Sequence, residues 1–172
     1  MSPPQIKLIG KVFLLLTLFY LPVEGIAPAT ATQKLSLEQL AREADLIAMG
    51  RIQGVTSQES ADRSTITTVV TFSVEEQWKG PKASTITVKQ PGGSVGGLTQ
   101  RVMGEPQFSV GEEVILFLKK GRDGPYVTVG GVRGKFLIKK DLQSSKRVIE
   151  DLTGKSDFEE SFTGRLREIL GH

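Results

Sequence analysis

Gly92-Gly93-Ser94-Val95-Gly96 sets a serine in a G-x-S-x-G frame, the spacing of a nucleophile elbow. That chemistry needs a strand-to-helix turn to expose the hydroxyl and a histidine to take its proton. Residues 98–102 read as strand rather than helix, and the single histidine is His172, the last residue. The same glycines could present backbone N–H groups to an anion, with Arg101 as the nearest cation. No following helix and no Lys-Ser or Lys-Thr pair completes a phosphate loop. The pattern therefore reads as a loop with permissive backbone angles. Gly92, Gly93, Ser94, Gly96, Gly97 and Arg101 are expected to bind rather than to catalyse.

Three acidic pairs invite an acid/base reading: Glu75-Glu76, Glu112-Glu113 and Glu159-Glu160. Neighbours on a strand point to opposite faces, so the first pair cannot converge on one substrate. The second sits in a turn, and the third in a first helical turn, where carboxylates suit the dipole. All three read as solvated charges. No cysteine, no H-E-x-x-H and no calcium loop is present, so no metal or other cofactor is expected. Trp78 and Tyr126 are the aromatics expected at a rim, where a partner or a sugar could meet them.

These residues need elements to hold them. In residues 65–79, Ile66, Val70, Phe72, Val74 and Trp78 share one parity while Thr67, Thr71, Ser73 and Glu75 share the other. That alternation is a strand with one face on a core, and Ile86 and Val88 repeat it after a Lys-Gly-Pro-Lys turn. Glu76 breaks the parity and marks a bulge or the end of the sheet. Before it, Ser36 and Gln39 form a capping box for a helix ending near Asp45. Residues 46–55 make a strand in which Gly50 and Gly54 imply a bulge or a tight barrel bend, followed by a polar loop over 56–64. Residues 103–111 read as a wandering loop and 114–119 as a buried strand. That strand turns into a hairpin with 126–129, and 135–139 makes the last strand. Residues 141–155 look polar and unpatterned. Ser156 and Glu159 then start a second helix whose apolar face is Phe158, Phe162, Leu166, Ile169 and Leu170, with Gly171 at its end.

The chain of 172 residues, 38% hydrophobic and 24% charged, suits one globular domain. Lys7 and Lys11 precede an apolar run, and Ala29-Thr30-Ala31 supplies small residues at its end. This is the pattern of a secretory signal peptide over 1–31, leaving a single domain over 32–172. Cleavage would remove Lys7, Lys11 and Glu24, taking the net charge from +3 to +2. So weak a balance disfavours nucleic acid or anionic membrane as a partner. Periplasmic or extracellular export, with no membrane anchor after cleavage, is the expectation.

Two short helices around glycine-kinked strands describe a small barrel. On Ala44-Asp45-Leu46-Ile47, Trp78-Lys79-Gly80-Pro81 and Gly111-Glu112-Glu113-Val114-Ile115-Leu116-Phe117, the chain resembles the netrin-like family. The best-known members of that family are tissue inhibitors of metalloproteinases. The resemblance covers about residues 35–138. It implies a mainly β, partly open OB-type barrel of five to seven strands, and protein binding as its work. The partner implied is another exported protein, a protease among the possibilities. An envelope polymer or carbohydrate held at the glycine loop is the alternative, and a hydrolase built on Ser94 the least favoured. The family's zinc-chelating N-terminal cysteine has no counterpart here, so none of its functional residues carries over.

Overall fold

The computed structural model describes residues 35–122 and 124–171. The expected signal peptide and His172 lie outside the described residues. The described residues belong to one compact unit.

Five strands close a barrel. They are β1 (Leu46–Glu59), β2 (Ile66–Lys79), β3 (Thr85–Pro91), β6 (Glu113–Lys120) and β7 (Tyr126–Thr128). β1 pairs with β2, β2 with β3, β3 with β7, β7 with β6, and β6 returns to β1. This is the OB-type architecture. The seam is β3–β7, parallel and held by the single register pair Val88 and Tyr126. β4 (Gly93–Val95) and β5 (Leu98–Gln100) form a separate hairpin. β8 (Lys135–Lys140), β9 (Arg147–Glu150) and β10 (Ser156–Phe158) extend the sheet outward from β6. The described residues thus hold ten strands, of which five make the barrel.

β6 explains why its sequence is an unbroken apolar run. Val114, Leu116 and Leu118 face the barrel interior with Val70, Phe72, Ile86 and Val88. Ile115 and Phe117 face a second core outside the barrel wall. A strand buried on both faces cannot alternate. The outer core is capped by α1 (Leu37–Glu43) and α2 (Glu159–Leu170), which contribute Leu40, Ala41, Phe162 and Leu166. The capping box forms: the Ser36 hydroxyl accepts from Gln39 N–H, and the Gln39 side chain accepts from Ser36 N–H. Gly171, at φ 76°, ends α2 in the left-handed region.

Three register shifts bend β1 and β2 around the barrel, two of them at Met49/Gly50 and Ile52/Gly54. At the first of these Glu75 is the unpaired extra residue, which is why Glu76 breaks parity. The Trp78-Lys79-Gly80-Pro81 motif ties elements together. Lys79 Nζ donates to the Ala41 carbonyl at 2.8 Å and so closes the C-terminal end of α1. Gln77 Nε2 donates to the Gly80 and Pro81 carbonyls, and its Oε1 accepts from Ala83 N–H.

Four expectations need correction. The polar loop after β1 is only residues 60–65, because paired, half-buried strand runs on to Glu59. Residues 141–155 contain β9, whose one buried side chain, Ile149, is too little to set up a readable alternation. The strand is bracketed by turns that Asp141 and Asp151 stabilise, accepting from Ser144 N–H at 2.7 Å and Thr153 N–H at 2.8 Å. Ser156 is no helix cap: pairing with β9 claims residues 156–158, and α2 starts at Glu159. Phe158 accordingly stands 50% exposed instead of joining the buried stripe.

Candidate binding site at one barrel end

The glycine segment is a hairpin, not a loose loop. Val95 pairs with Leu98 around Gly96-Gly97, both at positive φ (55° and 84°), as a two-residue type I′ connection demands. The hairpin is docked on the ends of β1 and β2 through hydroxyls. Thr68 Oγ1 donates to the Gly92 carbonyl at 2.6 Å, and Ser94 N–H donates to Ser57 Oγ at 3.3 Å. Ser57 and Thr68 stand 2.9 Å apart. Since the Thr68 proton goes to Gly92, Ser57 must donate to Thr68. The result is a directed chain from Ser94 N–H through two hydroxyls to the Gly92 carbonyl. Gly92 N–H donates to the Ile66 carbonyl, and Gln100 Oε1 accepts from Ile66 N–H at 2.6 Å. A side chain at Gly93 would fall on the Ser57 and Thr68 hydroxyls, so glycine is required here for close approach.

Ser94 lies mid-strand with its hydroxyl 2.8 Å from Thr99 Oγ1 across the hairpin. No strand-to-helix turn follows, so the nucleophile-elbow geometry is not formed. Arg101 follows β5 directly, is exposed, and has no partner among the described residues.

Trp78 and Tyr126 do not join this site. Trp78 is bulged out of register between Gln77 and Lys79, packs on the outer core, and lies about 40 Å along β2 from Ile66 at about 3.3 Å per residue. Its Nε1 is buried without a hydrogen-bond partner. It borders a groove of ≈ 610 Å³ with Glu75, Lys79 and Lys82. Tyr126 is half-buried at the β3–β7 seam, where it packs against the barrel core. The acidic pairs are also not merely solvated. Glu76 pairs with Arg167, Glu112 with Lys135, Glu113 with Arg51 and Arg147, and Glu159 with Arg147. Among the described residues no three His, Asp or Glu side chains converge as metal ligands, and no helix is long and apolar enough to cross a membrane.

The wandering loop expected over residues 103–111 turns out to be pinned. Gln90, 7% exposed, donates Nε2 to the Pro106 carbonyl at 2.7 Å. Val132 N–H donates to the Gly104 carbonyl at 2.8 Å, and Gly111 N–H to that of Ile52 at 2.8 Å. Lys135 Nζ donates to the Gln107 carbonyl, pairs with Glu112 at 2.6 Å and lies 4.7 Å over the Phe108 ring. Burial lifts the Glu105 carboxyl above its ordinary value. Yet this held segment, with the end of the hairpin leading into it, leaves Leu98 62%, Val102 37%, Met103 99% and Val110 65% exposed. Sequence reasoning missed these four because they follow no period. The signal available was their apolar character amid glycine and polar residues. No protein-family model and no curated protein matches the chain.

Proposed function

We propose that the chain is an exported, non-catalytic protein-binding module of netrin-like kind, and that the connection 98–111 is its contact surface. One observation carries the reading: a backbone pinned from several directions holds four apolar side chains out in solvent. A fixed backbone loses little further entropy on binding, and exposed apolar surface gains by being covered. Export rests on the leader pattern of residues 1–31, and the netrin-like kinship on the three short motifs quoted above.

The test is crosslinking of the full chain to exported proteins of its source cells, with Leu98→Ser/Met103→Ser and Leu142→Ser compared in parallel. Leu142 is fully exposed elsewhere and serves as the control. The reading expects a crosslinked protein that the double variant loses and the control keeps. Crosslinking indifferent to the double variant would overturn it.

A further inference from the structure

We infer that the partner of this surface presents an acidic segment carrying apolar side chains. The inference rests on the protein-binding reading above and adds the partner's chemistry.

Arg51, Arg147, Arg165 and Arg167 each hold a carboxylate. Arg101 holds none among the described residues, although it is exposed and sits in the chain between Leu98 and Val102. Arg63, in the β1–β2 turn, is likewise exposed; its N–H donates to the Ser60 carbonyl, and its guanidinium has no partner among the described residues. The contact from Gln100 to Ile66 N–H brings the start of β2 to the residue beside Arg101. Nearby acids do not answer these cations. Asp62 is turned into its own loop, accepting from Ser60 and Ser64. Glu105 is drawn in toward the pinned connection, where burial favours its neutral form. Glu59, half-buried opposite Ile66, is the remaining acid on these strand ends.

A guanidinium meets a carboxylate through two parallel N–H donors, and arginine is enriched at protein interfaces for that reason. An apolar side chain on the partner would cover Met103 while its carboxylate meets Arg101. Nucleic acid would need a denser cationic surface with aromatic rings for its bases to stack on, and this segment exposes no aromatic ring.

The experiment selects a displayed library of random short peptides on the full chain, then measures the selected peptides against variants. The expected peptides combine Asp or Glu with large apolar residues. Arg101→Glu should weaken them about tenfold, and so should raising salt from about 0.01 to about 1 M, while Met103→Ser abolishes binding. Peptides free of acidic residues, lost on Met103→Ser but indifferent to Arg101→Glu and to salt, would overturn this inference alone. Peptides indifferent to both variants would overturn the contact surface itself. Unchanged melting temperatures confirm that both variants fold.

Discussion

Phe162 of α2 meets Phe136 of β8 with ring centroids 5.1 Å apart, and Phe136 meets Phe117 of the barrel wall at 5.5 Å. This file of three rings runs from the C-terminal helix into the central strand. The helix is therefore a structural lid on the outer core rather than a free arm. Truncating a buried phenylalanine costs about 3–5 kcal/mol through lost burial and the cavity left behind. Phe162→Ala should lower the melting temperature by roughly 10 °C or more at this chain length. An unchanged midpoint in a thermal melt would mean that α2 contributes nothing to the free protein's stability.

Gly93 and Gly96 carry different demands for glycine. At Gly93 a positive φ of 140° is joined by a pair of hydroxyls beneath it, while at Gly96 nothing lies nearby and only the positive φ matters. Gly93→Ala should push the hairpin off Ser57 and Thr68, costing about 1–3 kcal/mol. Gly96→Asn should cost only a few tenths of a kcal/mol, because asparagine tolerates the left-handed region of a type I′ turn. Denaturant titration gives both values. Amide exchange at residues 92–100 should rise only for Gly93→Ala.

Asp62 supplies a titration with a fixed sign. The Ser60 hydroxyl, then the Ser64 N–H and hydroxyl, hold its carboxyl down from the ordinary 3.8 to about 2. A folded-state value below the unfolded one gives stability that is complete above the unfolded value and disappears as pH falls through the folded one. The β1–β2 turn should accordingly loosen between about pH 4 and pH 2. Asp141, held down by Ser144, adds a contribution of the same sign. Glu105 acts in the opposite direction, since burial raises it and protonation relieves that cost. Carboxyl-carbon NMR checks this: Ser60→Ala/Ser64→Ala should raise Asp62 toward its ordinary value but short of it, because the Ser64 N–H still donates, and no shift would remove the hydroxyls as the cause.

Local codes were legible and long-range pins were not. The capping box at Ser36 and Gln39, the register breaks that Gly50 and Gly54 mark and the apolar run of β6 each act within a few residues of themselves. β9 and β10 escaped because strands of four and three residues with one buried side chain, Ile149, cannot establish a period. The Gly96-Gly97 turn was hidden among other glycines, which made a hairpin look like slack chain. At the candidate site, the glycines and Arg101 could be named in advance because composition marks them. The contacts that fix residues 101–112 come from Ile52, Gln90, Val132 and Lys135, and no local pattern announces which carbonyl a distant side chain will reach.

Lys135 is the pin whose removal bears most directly on the proposed surface. Its side chain is 10% exposed, while that of Glu112 is 27% exposed. One ammonium thus serves the Gln107 carbonyl, the Glu112 carboxylate and the Phe108 ring together. Lys135→Met keeps the stem and removes the charge. It should cost about 1–3 kcal/mol, less than breaking a fully buried pair because Glu112 retains access to water. Adding Glu112→Gln should restore part of that loss by removing the orphaned charge, so the two substitutions should be non-additive. The larger effect should appear locally, as faster amide exchange across residues 101–112 and weaker binding of any peptide that Met103→Ser abolishes. A single variant that loses stability while exchange in this segment stays at the wild-type rate would show that the connection is held without Lys135.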